Sequence, residues 1–218
     1  METIPQNWAG PYNVMDKHII ITIGRQIGSG GKSIASLLGE RLGIPVYDNE
    51  LITRAAQKSG LSSTVFKVSD EKRRFLGLGN IFGSMRFGDF SRNMLNDGEL
   101  VRIQSETIRE IAASGDAIFV GRASNYVLRD MDTLDVFLSA PLEVRARTVA
   151  ARRGISEKEA SEYVAKQDKA RRDYYNLFTL GDNWGVASNY DLCLDSSILG
   201  YEATADYIIS FGRLGGRI

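Results

Sequence analysis

The sequence predicts a three-layer α/β fold, with helices on both faces of a parallel sheet of about five strands. Two observations carry that expectation. Short β-branched apolar runs alternate with segments of helical period along the chain. A glycine-rich turn, residues 28–31, joins the first such run to the first helix.

Residues 1–17 hold Pro5, Gly10, Pro11 and Asn13 without an apolar period, and read as an arm ahead of one domain, residues 18–218. From His18 the run Ile19, Ile20, Ile21, Thr22, Ile23 has the unbroken β-branched character of a buried strand. After Ser33, Ile34, Leu37, Leu38 and Leu42 recur at helical spacing, and Gly43 ends the helix. Residues 44–47 make a short second strand, and Asn49 caps a helix carrying Leu51, Ile52, Ala55 and Ala56. Residues 61–98 interrupt the alternation. There Phe66, Phe75, Phe82, Phe87 and Phe90 sit among Gly, Ser and Arg without a sustained period, which reads as an exposed insert. Regularity returns with a helix over 99–113 and a strand over 117–120. A strand over 133–138 precedes Pro141 in a first helical turn, and Ser156 with Glu159 forms a capping box for a charged helix reaching about 178. A strand over 190–194 and a helix over 202–211 close the chain.

Composition narrows the function. Lys plus Arg equals Asp plus Glu, 27 each in 218 residues, so no global field draws nucleic acid or membrane. No basic stripe is interleaved with aromatics, which argues against nucleic acid as a partner. The one cysteine, Cys193, lies between Leu192 and Leu194 and reads as a core residue of a reducing compartment. The one histidine, His18, leaves no Cys/His zinc site and no Ser-His-Asp triad that omits it. Neither a membrane span nor a signal peptide is visible, and a cytoplasmic protein is expected.

An anion site must then be built locally, and Gly28-Ser29-Gly30-Gly31-Lys32-Ser33 supplies one. Glycines let successive N–H groups turn toward one anion, and the new helix aims its positive end at it. This is a P-loop. Lys32 would reach the β- and γ-phosphates of ATP, and the Ser33 hydroxyl would hold Mg²⁺. The motif's first position is Gln26 rather than glycine. A dinucleotide fingerprint fails because Ser33 occupies its third glycine.

In a parallel sheet, ligands sit beyond the carboxyl ends of the strands. Asp48 and Arg122 follow strands at that end, whereas Asp116 precedes one and is set aside. Arg54 lies six residues after Asp48, and Arg102 lies on the helix before the third strand. Each arginine alone is an ordinary surface residue; together, Arg54, Arg102 and Arg122 suit bidentate binding of an acceptor phosphate. Asp48 would orient the acceptor or an Mg²⁺-bound water.

From His18 to about Phe211 the chain resembles the cytidylate-kinase-like family of P-loop kinases. Asp48 and Arg54 match an Asp and an Arg six residues apart after that family's second strand. Gly121-Arg122 and Val101-Arg102 match its third-strand Gly-Arg and the preceding Val-Arg, and residues 191–197 resemble its last strand with an Asp-Ser-Thr end. The resemblance implies a nucleoside monophosphate kinase with ATP and Mg²⁺, acting on CMP or dCMP. The alternatives are a kinase for another small acceptor, or a nucleotide-binding regulatory module. Two positions depart from the bacterial pattern: Ala123 stands for Asp after Gly-Arg, and Gln167 for an Arg of the lid.

Residues 152–178 are expected to form that lid, with Arg152, Arg153, Arg171 and Arg172 closing over the transferred group. An exposed helix laced with ion pairs is the competing reading. Asp168 can pair with Arg171 or Arg172, and the resemblance favours Arg171 as the arginine that acts.

Overall fold

The computed structural model describes residues 18–58, 90–179, 181 and 183–218, with side chains from 54–58 and 90–100 left aside. The expected arm at 1–17, and residues 61–89 of the expected insert, lie outside that range.

The elements run β1 (Ile20–Arg25), α1 (Gly31–Leu42), β2 (Val46–Tyr47), α2 (Asn49–Lys58), α3 (Phe90–Ser114), β3 (Ala117–Val120), α4 (Ser124–Val127), β4 (Leu134–Ser139), α5 (Leu142–Arg153), α6 (Glu157–Thr179), β5 (Leu192–Asp195) and α7 (Ser196–Leu214). One parallel sheet has the order β2-β3-β1-β4-β5. β1 is therefore central. Successive strands are laid to one side of it and then to the other, which opens a crevice at its carboxyl end.

Strand alternation sorts the core into two layers. Ile21, Ile23, Val136 and Leu138 face α1 and α7, meeting Ile34, Leu38 and Ile208. Ile20 and Phe119 face the opposite way, against Ile108 and Ala112 of α3 and Val127 of α4. Each such aliphatic side chain, fully buried, contributes roughly 1.5–3 kcal/mol. The α5–α6 hairpin has its own small core of Ala146, Val149, Ala160 and Val164, into which Ile27 packs.

Several elements differ from expectation. α3 begins at Phe90, so residues 90–98 are helical rather than part of an irregular insert. α7 begins at Ser196, where Asp195 accepts the Ser197 N–H at 2.9 Å, and it kinks at Gly200 (φ 73, ψ 175) before the expected closing helix. Cys193 is exposed on β5, which among the described residues is an edge strand of the sheet. The apolar context of a two-residue window could not distinguish an edge from a core. The capping box forms, Glu159 N–H donating to Ser156 Oγ at 3.2 Å and Ser156 N–H to Glu159 Oε2 at 3.0 Å. Among the described residues no helix is long and apolar enough to cross a membrane.

Candidate active site

At the carboxyl end of β1 the chain turns through Gly28 (φ 83) and Gly30 (φ 78) into α1. Both angles lie in the left-handed region that side chains disfavour, which is why the turn is glycine-rich. Gln26 needs no such angle. Its backbone N–H donates to Leu138 O (3.0 Å) and its side-chain Oε1 accepts from Ala140 N–H (3.3 Å), tying the start of the loop to the end of β4.

The loop is held from a second side by the hairpin. Asp168 on α6 accepts the Ile27 N–H at 2.7 Å, and Arg145 on α5 donates to the Ile27 carbonyl at 3.2 Å. Asp168 and Arg145 pair with each other at 2.5 Å, almost wholly buried. Arg145 also donates to Ala140 O at 2.8 Å. The N–H and the carbonyl of one loop residue, in successive peptide groups, are thus both held by a buried ion pair. Asp168 does not pair with Arg171 or Arg172, the partners its helical spacing suggested.

Lys32, in the first turn of α1, donates to Asp48 Oδ2 at 2.9 Å. The Lys32 side chain is 79% exposed and that of Asp48 23%. Such an exposed pair is worth at most about 1 kcal/mol, so a phosphate can displace it. Asp48 Oδ1 caps α2, accepting from the N–H groups of Glu50 (3.1 Å) and Leu51 (3.2 Å). Burial works against its ionisation, but Lys32 and the two N–H groups outweigh burial and hold the carboxyl below its ordinary value. Ser33 is exposed on the same turn. The Ser33 hydroxyl and Asp48 carboxylate are hard oxygen donors, a set that fits Mg²⁺.

β3 ends in three consecutive left-handed residues, Gly121 (φ 77), Arg122 (φ 62) and Ala123 (φ 51). Two of them carry side chains, and such positions cluster at functional sites. Arg122 lies over the ring of Tyr174 on α6, 4.9 Å from its centroid. Burial raises the Tyr174 hydroxyl pKa, with Arg122 opposing. Tyr174 donates to Gln104 Oε1 (3.4 Å), and Gln104 Nε2 reaches Asn49 Oδ1 (3.4 Å) and Thr53 Oγ1 (3.3 Å), linking α6, α3 and α2.

Arg171 donates to the carbonyl of Arg25 at 2.9 Å. Burial pushes its guanidinium pKa down to about 10, with Asp168 and Tyr163 opposing and Arg122 adding to the shift. Arg172 instead lies over Trp184, 5.7 Å from its centroid. Lys32, Asp48, Arg122 and Arg171 therefore gather at one end of the sheet. Arg102 is ion-paired at 2.5 Å with Glu106 on its own helix. Arg54 lies on α2, its side chain outside the described residues. Asp116 accepts the Ile19 N–H at 2.8 Å, at the amino end of the strands.

Sequence reasoning missed Arg25 and Arg145. Burial pulls the Arg25 guanidinium well below its ordinary pKa; Arg171 and Arg122 add to that shift, while Asp48 and Asp168 oppose it. A signal was present: Ile21, Ile23 and Arg25 share one strand face, and the third breaks an apolar set.

Comparison with known proteins gives the family and the fold. The cytidylate kinase-like family matches residues 20–198. The cytidylate kinase of Methanopyrus kandleri is 32% identical over 190 residues, 82% of this chain and 85% of that protein. That of Pyrococcus horikoshii is 27% identical over 181 residues, 82% of this chain and 80% of that protein. Among solved structures, an uncharacterised protein from Eubacterium ventriosum has a TM-score of 0.65 at 25% identity, covering 88% of this chain and 97% of that one. A shikimate kinase from Bacteroides thetaiotaomicron, TM-score 0.50 at 12% identity over 90% of this chain and 97% of its own, shares the fold alone. A P-loop at the carboxyl end of a central strand, in a chain matched over most of its length, leads to one conclusion: the chain belongs to the cytidylate kinase-like family and is an ATP-dependent phosphotransferase.

Proposed function

We propose that the chain transfers the γ-phosphoryl group of ATP to the phosphate of a nucleoside monophosphate, CMP or dCMP. The observation that supports this most directly is the gathering of Lys32, Asp48, Arg122 and Arg171 around one crevice. The triphosphate lies along Gly28, Ser29, Gly30, Gly31, Lys32 and Ser33, where loop N–H groups and the start of α1 face it. Lys32 exchanges Asp48 for the β- and γ-phosphates. Ser33 would hold Mg²⁺, which would neutralise phosphate charge, and Asp48 would orient the acceptor or an Mg²⁺-bound water. Arg54 and Arg122 hold the acceptor phosphate, joined by Arg102 once it leaves Glu106. Arg171 closes from the lid formed by α5 and α6.

An oxygen of the acceptor phosphate forms a bond to the γ-phosphorus as the bond to the β–γ bridging oxygen breaks. That electron pair leaves with ADP. The attacking oxygen is already anionic, so no strong general base is required, and positioning with charge neutralisation carries the rate. Such chemistry suits a cytoplasmic protein, where ATP and nucleotides are at hand. Ala123, in place of the Asp of bacterial cytidylate kinases, favours a second reading in which the acceptor is another small phosphorylated molecule.

The test is ADP release from ATP·Mg²⁺ against CMP, dCMP, UMP, AMP and GMP. Stimulation by CMP or dCMP is expected, falling about 10²-fold or more in Lys32→Ala. Stimulation by a different nucleotide would remove the cytidine assignment and keep the kinase.

A further inference from the structure

We propose that Arg25 is a further arm of the phosphate clamp, its guanidinium contacting the phosphoryl group in transit between ATP and the acceptor. The inference rests on the phosphotransferase reading and adds a residue to it.

Arg25 is the last residue of the central strand, on the face that carries Ile21 and Ile23. Its stem lies on Gly31, the first residue of α1, where a Cβ would stand 2.7 Å from Arg25 Cγ. Its guanidinium ends against Gly121, where a Cβ would stand only 1.8 Å from a terminal nitrogen. The side chain thus runs from the helix that bears Lys32 to the residue before Arg122.

The fold alone gives no reason for a cation there. Withdrawing a guanidinium from water is costly unless a carboxylate meets it. The carboxylates close by are engaged elsewhere, Asp48 with Lys32 and Asp168 with Arg145. Among the described residues no ion pair joins a carboxylate to Arg25, Arg122 or Arg171. Three guanidiniums near enough to repel one another therefore share the crevice. An arriving phosphoryl group relieves that repulsion and gives each a partner, most fully where charge is spread over the oxygens of the group in flight. Arg171 bonds to the carbonyl of Arg25, so the hairpin closes on this same residue. The guanidinium takes no proton and no electrons; the phosphorus–oxygen bonds form and break as described above.

Arg25→Met keeps the length of the stem without the charge, and Arg25→Lys keeps charge without the planar fork. In the full chain three quantities are measured: the thermal midpoint, the affinity for ADP·Mg²⁺, and the tightening of ADP when aluminium fluoride is added as a mimic of the transferring group. With an acceptor, kcat and KM are added. Arg25→Met should retain its midpoint and hold ADP affinity within about threefold. It should lose the tightening by aluminium fluoride and lower kcat by about 10²–10³-fold with little change in KM. Arg25→Lys should restore only part. Unchanged tightening and kcat in Arg25→Met would overturn the proposal. So would a midpoint and ADP affinity that fall together, which would make Arg25 a prop for the loop, or a wild-type chain that aluminium fluoride does not tighten. If every acceptor is silent, the nucleotide reading fails alone, because the fluoride titration needs no acceptor.

Discussion

Asp135 is an acid placed inside a sheet. It sits on β4 facing β1, and its Oδ1 accepts from Thr22 Oγ1 at 2.6 Å and Thr133 Oγ1 at 2.9 Å. Burial raises its carboxyl above the ordinary range; the two hydroxyls oppose the shift, as does Arg217, while Asp191 adds to it. The folded chain therefore holds this proton more tightly than the unfolded chain does. The stability it contributes is complete below the usual carboxylate pKa of about 4 and is lost as pH rises through the raised folded value. Asp135→Asn keeps the accepting oxygen and removes the charge. Its thermal midpoint should exceed that of the wild type at pH 8, by about 2–4 °C for each kcal/mol recovered, and the two should converge near pH 4. A variant less stable than wild type at pH 8 would contradict this. At this scale Lys32 and Ser33 were legible because their motif is local. Arg25 was not, since its meaning depends on Gly121, just past the end of another strand.

The hairpin of α5 and α6 is tied to the phosphate loop by a buried pair. Asp168→Ala would leave Arg145 buried and unpaired, at a cost of about 3–5 kcal/mol. Asp168→Leu combined with Arg145→Met should recover much of that loss in urea unfolding of the full chain, while nucleotide affinity stays low because the Ile27 peptide is released. A single variant within about 1 kcal/mol of wild type would show that the pair does not anchor the hairpin. Helical period and the capping box made α6 readable in sequence. Its tertiary partner was not, because spacing along one helix exposes only neighbours three or four residues away, and Arg145 belongs to a different helix. The start of α3 was missed for a related reason: residues 90–98 lack a clear apolar stripe, and a helix needs none where it merely continues a well-packed one.

Across the whole molecule, chemistry is polarised along the strands. The crevice gathers Lys32 and the arginines, whereas His18 lies 3.8 Å from Asp116 at the other end. His18→Gln should therefore leave kcat and its profile between pH 6 and 8 unchanged. The acid limb should follow the acceptor's own second phosphate ionisation, near pH 6. A shifted limb in the variant would place a protein proton in the mechanism. Alternating strands and helices made the parallel sheet predictable, but the order β2-β3-β1-β4-β5 depends on crossovers that no local pattern records. Gly121 shows what such an order demands. With the Arg25 guanidinium lying where its Cβ would be, a larger residue at Gly121 would have to push the arginine aside as well as strain a left-handed backbone. Arg25, by contrast, could be lost without disturbing the glycine: the dependence runs one way, from the arginine's seat to the residue that leaves it room.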